Sequence, residues 1–412
     1  MKKALCIIIV CLMLASSIAL SRAAHASSTF GTCGESLTWT LEGGVLSISG
    51  AGDMYDYSFV EESDGFVTDA PWREYRDEVT SLVIEEGVAS VGTEAFEGMR
   101  ALTSAVIPGS AAVIGKEAFL DCTSLSSLTL SEGIEEIEVD AFSGCSSLKS
   151  VIIPASASSV DPMTFRGTAL ENLSVAEGSA VYHSSGNCVI ETESKTLVMG
   201  CRKSAIPKDG SVTSIGASAF AGCVGLSSVT IPKGVTSIGS YAFDKCADLQ
   251  SVIIPSGVTE IADHAFRNCA SLRRIVIPDG VSAIAGETFL GCAALDTIFI
   301  PASVKEVENN AFYACALLAH VWYEGDETAR GAMTLGHYNS SLTGAAWHYE
   351  RLSGDVNYDG EVTMRDVLLI RRAIAALVET DGDFSEVADV DGDGEATMKD
   401  VLMIRRMIAG LA

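Results

Sequence analysis

The sequence predicts a solenoid of short parallel β-strands with an N-terminal β cap, followed by a small all-α module built around two acidic loops. Three observations carry this expectation. A 23-residue unit runs without gaps from Val88, marked by phenylalanine at 96, 119, 142 and 165 and then at 220, 243, 266, 289 and 312. An alternating apolar and polar stretch precedes the first unit. Near the C-terminus an acidic segment, Asp355 to Asp366, returns as Asp389 to Asp400, and each copy runs into nearly the same apolar helix pattern.

Length and composition set the frame. With 412 residues and 48% hydrophobic content the chain can bury a sizeable core and divides into two or three domains. Its 54 acidic against 27 basic residues give a formal charge of -27, which argues against a nucleic-acid or anionic-membrane partner and favours solubility and cation binding. Residues 1 to 26 read as a signal peptide: Lys2 and Lys3 lead an apolar run from Ala4 to Leu20, and Ala24-His25-Ala26 offers small residues for cleavage. No later apolar run reaches the length of a membrane span, so a secreted, soluble monomer is expected.

Residues 27 to 78 form the expected β cap. The alternation on either side of Glu42-Gly43-Gly44 is a hairpin signature, and Pro71-Trp72 leads toward the first strand of the repeats. From 79 to 349 the 23-residue rhythm dictates a solenoid, because one unit alone exposes an apolar edge that only a stacked neighbour can cover. Strands such as Ser228 to Ile231 fall in parallel register, and the prolines after them, Pro232 and Pro255, suit strand exits. Residues 180 to 211 interrupt the period. There Cys188-Val189-Ile190 and Thr196 to Met199 flank a polar turn and read as an inserted hairpin, and a C-terminal cap follows the last unit.

The pattern Ala-Phe-x-x-Cys-x-x-Leu-x-x-Val-x-Ile-Pro resembles the BspA-like leucine-rich repeats of bacterial surface proteins, which implies a leucine-rich-repeat solenoid. Met99 and Thr168 depart from it at the cysteine, and Thr164 and Thr288 at the alanine. Seven of the 12 cysteines, from Cys122 to Cys315, fall three residues after the repeat phenylalanine and are expected as buried, apolar thiols. Cys188 and Cys201 share the insertion, and a disulfide between them is one open alternative. No nucleophile elbow, zinc-binding helix, phosphate loop or Cys-x-x-Cys occurs, so a non-catalytic protein is expected. Trp39, Trp72, Trp322 and Trp347 lie outside the repeats or at their end and read as cap residues, with sugar-stacking platforms as the alternative.

The duplicated tail, residues 350 to 412, carries the most specific chemistry. Oxygen-bearing residues stand at loop positions 1, 3, 5 and 12, with glycine at position 6, as calcium requires. The first loop offers Asp355, Asn357, Asp359, the Glu361 carbonyl and Asp366; the second offers Asp389, Asp391, Asp393, Glu395 and Asp400, for two Ca2+ ions in all. No helix pattern precedes the first loop, and position 12 is Asp instead of Glu. With those departures the tail resembles a type I dockerin, the module that binds cohesin domains of a scaffoldin in the cellulosome of anaerobic bacteria. Helical spacing separates a core stripe of Val367, Ile370, Ile374 and Leu377, echoed by Val401, Ile404, Ile408 and Leu411, from a second stripe. The resemblance places cohesin contacts on that second stripe: Met364, Arg365, Leu368, Arg371 and Arg372, echoed by Met398, Lys399, Leu402, Arg405 and Arg406. The sequence therefore reads as a secreted binding protein, its repeats facing an unidentified protein or polysaccharide and its tail a cohesin. Two alternatives stand beside it, a cell-surface adhesin and a carbohydrate-active enzyme with its site in the insertion or the caps.

Overall fold

A computed structural model describes residues 29–62 and 65–349, and in the tail 354, 356, 362, 364–374, 388, 390 and 395–408. The expected signal peptide lies outside them, and among the described residues no helix is long and apolar enough to cross a membrane. The 23-residue period becomes one coil of a β-solenoid. Each coil adds a three- or four-residue strand to a first parallel ladder, as in Ser81–Ile84, Ser104–Ile107 and Ser127–Leu130, with Ser81 opposite Ser104 and Ser104 opposite Ser127. A two-residue strand joins a second ladder, as in Val113–Ile114 and Glu136–Ile137. Side chains alternate across each strand, so Leu82 and Ile84 point into the core while Val83 points to solvent.

The repeat phenylalanines stack along the solenoid with ring centroids 5.0 Å apart for Phe96 and Phe119 and 5.1 Å for Phe220 and Phe243. Backbone bonds run beside them: the Phe119 amide donates to the Ala141 carbonyl at 2.7 Å and the Phe243 amide to that of Ala265 at 2.8 Å. The thiols complete the pattern. Cys122 donates to the Phe96 carbonyl at 3.1 Å, and Cys246, Cys269, Cys292 and Cys315 repeat the contact with the phenylalanine of the coil before. These five are buried as expected, whereas Cys223 is half-buried, and the five do more than fill space, because each supplies a polar cross-coil contact in a dry interior.

Both ends are closed by different means. At the N-terminal end three antiparallel strands, Thr29–Thr32, Leu37–Glu42 and Val45–Gly50, hand over to the parallel ladder where Val45 meets Ser81. The hairpin at Glu42-Gly43-Gly44 forms as expected, with both glycines in the left-handed region at φ of 58° and 81°. Trp72 heads the phenylalanine column, 5.2 Å from Phe96, and its indole N–H donates to the Ala95 carbonyl at 2.7 Å. At the far end Asn339 imitates a further coil: its Oδ1 accepts from the Phe312 amide at 3.0 Å and its Nδ2 donates to the Glu308 carbonyl at 2.8 Å. A cap without it would leave the last Phe amide buried and unpaired.

The insertion contains the expected hairpin, Cys188–Glu191 against Thr196–Met199, and extends it. It is a three-stranded antiparallel meander, Tyr182–Ser185, Cys188–Glu191 and Thr196–Met199, and its last strand pairs in parallel with Ser214–Ile215. It is thus a layer of the stack. Val189 and Met199 belong to the N-terminal half of the core, while Cys188, Ile190 and Leu197 belong to the C-terminal half. A strand whose faces alternate can serve both cores at once. Cys188 and Cys201 are separate buried thiols, with Cys201 Sγ directed at the Asn187 carbonyl.

Two outcomes follow from this packing. Phe243→Ala removes one ring from the middle of the column and should destabilise the solenoid by about 3–5 kcal/mol, read by chemical denaturation. Burial pushes the Cys246 and Cys315 thiols from 9.0 up to about 12. Their contribution to stability is complete below the ordinary thiol value and is lost as pH rises toward about 12, because the unfolded chain gives up those protons first. Unfolding free energy measured against pH should therefore fall through that window, less steeply in the variant carrying Cys246→Ala and Cys315→Ala.

Candidate functional site

The tail folds around two matched helices, Met364–Ile374 and Met398–Ile408. Each begins with the residues that close its acidic loop. On the inner stripe Val367, Ile370, Val401 and Ile404 are all buried, as the helical spacing predicts. Ile408 departs from it, being 39% exposed at the end of its helix. The described atoms leave the Ile374, Leu377 and Leu411 side chains outside them.

The second stripe faces outward in both copies. Met364 and Met398 are each 53% exposed, Leu368 48% and Leu402 51%. Arg365 and Arg371 lie exposed beside the first pair, and Lys399, Arg405 and Arg406 beside the second, while the Arg372 side chain lies outside the described atoms. Half-exposed Met and Leu flanked by guanidinium groups form an apolar patch with a basic rim, a composition suited to a protein partner.

Of the ten expected calcium ligands the structure describes Asp366, Glu395 and Asp400; the other seven lie outside the described residues. Asp366 and Asp400 are both fully buried, whereas Glu395 is exposed. Asp400 draws the second loop closed, since its Oδ1 accepts from the Val390 amide at 2.8 Å, across from loop position 12 to position 2. Its Oδ2 accepts from the Thr397 amide at 2.8 Å and from the Thr397 hydroxyl at 3.1 Å. Thr397 Oγ1 in turn accepts from the Lys399 amide at 3.2 Å, so Thr397 and Asp400 also cap the helix reciprocally. Spacing alone marked Asp400 as a ligand; its second role as cap was legible in Thr397-x-x-Asp400 and was missed. The arrangement fits an oxygen-bound cation. A carboxylate buried at the mouth of an acidic loop gains from a neighbouring positive charge. Among the described residues, no three His, Cys, Asp or Glu side chains converge as a metal site.

On the solenoid one cluster invites a catalytic reading. His264 Nδ1 lies 2.8 Å from Asp263 and its Nε2 lies 2.9 Å from Glu287, while the Ser240 hydroxyl donates to Asp263 at 2.5 Å. The hydroxyl thus faces the carboxylate and not the imidazole, and both ring nitrogens are engaged, so the group lacks the order of a nucleophilic triad. The Ser240 hydroxyl, then the His264 ring, holds Asp263 below the usual carboxylate range. Tyr241 stacks on His264 at 4.4 Å and carries Arg267 at 5.0 Å from its ring centre, so the cluster is a braced edge of consecutive coils. Trp347, expected as a cap residue, donates to the Leu342 carbonyl at 3.2 Å and meets Tyr323 edge-on within the C-terminal cap.

Comparisons with known proteins agree with this geometry. The model of the BspA type leucine rich repeat region matches six copies over residues 74–185 and 197–319, and that of the dockerin type I domain matches 353–409. Among solved structures, a leucine-rich repeat protein from Eubacterium ventriosum is 19% identical, covering 81% of this chain and 100% of its own, with a TM-score of 0.59. A leucine rich cell surface protein from Faecalibacterium prausnitzii is 23% identical over 76% of this chain and 99% of its own, at a TM-score of 0.52. The pneumococcal vaccine antigen PcpA is 16% identical over 79% and 100%, at 0.53. These likenesses bear on the fold. No curated protein matches the chain.

The capping pair yields a direct outcome. Thr397→Ala should cost the tail about 1 kcal/mol, seen as a lower melting point of its helices by circular dichroism, with the solenoid transition unchanged.

Proposed function

The chain belongs to the BspA-type leucine-rich-repeat family and ends in a type I dockerin domain, and from that premise we propose a secreted, non-catalytic binding protein that calcium fastens to a scaffoldin. The dockerin implies a cohesin partner in a cellulosome-type assembly, and the repeats imply a binding role. The observation that carries the reading is the matched pair of tail helices, each beginning at a buried aspartate and each presenting the same exposed Met, Leu and Arg stripe.

In this reading Asp355, Asn357, Asp359, Glu361 and Asp366 hold one Ca2+, and Asp389, Asp391, Asp393, Glu395 and Asp400 the other. When bound, each ion supplies the positive charge that lets carboxylates gather at one loop. The chain's own part is to hold the helices so that Met364, Leu368 and Arg371, or Met398, Leu402 and Arg405, meet the cohesin after a half turn. The long face of the solenoid binds a protein or a polysaccharide outside the cell. Leucine-rich repeats and dockerins are non-catalytic module types, which supports a binding role over catalysis.

Titration of the full chain with a panel of cohesins tests the attachment. Binding in millimolar calcium and its loss in excess EDTA is the expected result; affinity that survives chelation contradicts it. A glycan and protein array probed with residues 27–350 then identifies the ligand of the repeats, and glycan turnover by the purified protein would favour an enzyme instead.

A further inference from the structure

Along the first ladder the outward strand position forms a column with one residue per coil. In the N-terminal coils it holds Val83 and Val106, which are 44% and 51% exposed. At the C-terminal end the same position turns aromatic: Val276 stands opposite Phe299, Phe299 opposite Trp322, and Trp322 opposite His348. The rings stack, with centroids 6.2 Å apart for Phe299 and Trp322 and 4.3 Å for Trp322 and His348. A strand's outer face would leave such rings in water, yet Phe299 is 1% exposed and Trp322 7%.

The cover is the chain's own tail. Phe299 and Trp322 share one buried cluster with Val356, Val367, Ile370, Val401 and Ile404, and Val276 packs against its edge. Those tail residues are the interior of the dockerin helices, so the tail core and the aromatic strip form a single apolar body. The stripes assigned to cohesin face away from it and stay half exposed. Tyr349, the last described residue of the cap, is five residues from Gly354, the first of the tail. A tether that short holds the module at an effective concentration in the millimolar range or above, so even a modest contact closes.

We propose that the Val276, Phe299 and Trp322 strip is a built seat for the dockerin, which couples calcium in the tail to the end of the solenoid while leaving both cohesin faces open. The proposal rests on the dockerin reading. Calcium folds the module that the seat recognises, so by linkage the seat raises the tail's calcium affinity by the same factor that calcium raises the docking equilibrium. Trp322 is therefore neither a sugar platform nor part of the end cap. The solenoid delivers its ligand to the scaffoldin in a fixed orientation.

The test uses the full chain carrying Phe299→Thr and Trp322→Thr, because threonine is what the repeat itself places in this column at Thr129 and Thr230. Small-angle scattering and calcium titration followed by circular dichroism are measured on both proteins. The expected wild type scatters as one compact particle. In the variant the tail swings free and its calcium midpoint rises about tenfold, within the usual range of coupling between sites, with cohesin binding kept at saturating calcium. Identical scattering and identical midpoints would overturn the seat and leave the attachment reading intact, whereas a wild type that takes up no calcium would overturn both. If the double variant fails to fold, Val276→Lys at the edge of the strip gives the same readouts.

Discussion

The structure depends on stacked phenylalanines, in one column on each side of the insertion, and on the backbone bonds that run beside them. Once a ring sits 5.0 Å above the next, the coil length, the register of both ladders and the position of every buried leucine are set. The amides of Phe96 and Phe243 reach the following coil, and their carbonyls take the thiols of Cys122 and Cys269 from that coil. Hydrophobic and polar contacts thus repeat at the same spacing. A coil that slipped by one residue would lose both.

A column of this kind has no natural end, and the chain resolves each one with local chemistry. Trp72 caps the first ring with a larger one and feeds its indole N–H to Ala95. Asn339 supplies a carbonyl and an amide from a side chain where the next coil would have supplied them from the backbone. In the middle, the meander at Tyr182–Met199 replaces a regular coil and divides the interior into two clusters, with Val189 and Ile190 facing opposite halves. Beneath it, Arg202 and Lys203 pair with Glu171, tying the interruption to the coil before it.

Much of this was legible in the sequence because periodicity is a strong signal. The phenylalanine spacing gave the coils, and the two-residue glycine turn at Gly43 gave the hairpin. Among the described residues, duplication in the tail gave the buried and exposed stripes of the two helices, with Ile408 the exception at the end of its helix. What escaped notice were contacts between coils that no single repeat shows by itself. The insertion read as a hairpin because Tyr182 to Ser185 is polar and its pairing partner cannot be seen locally. The thiol bonds escaped because a cysteine in an apolar run looks like a small hydrophobe. The Phe299 and Trp322 strip escaped because each ring is unremarkable within its own repeat; only the comparison of one strand column across all coils shows that the outward position changes character.

The solenoid and the tail divide labour along the chain. The repeats build an extended surface at low sequence cost, while the tail concentrates its specificity in two copies of a helix. In the proposed reading, internal duplication of the tail lets one exposed stripe be lost without losing the partner. Cohesin titrated calorimetrically against three full chains tests this claim most directly: one with Leu368 and Arg371 changed to alanine, one with Leu402 and Arg405 changed, and one with all four. The account predicts one-to-one binding close to wild type for each of the first two and none for the third. Unchanged binding by the third chain would contradict it.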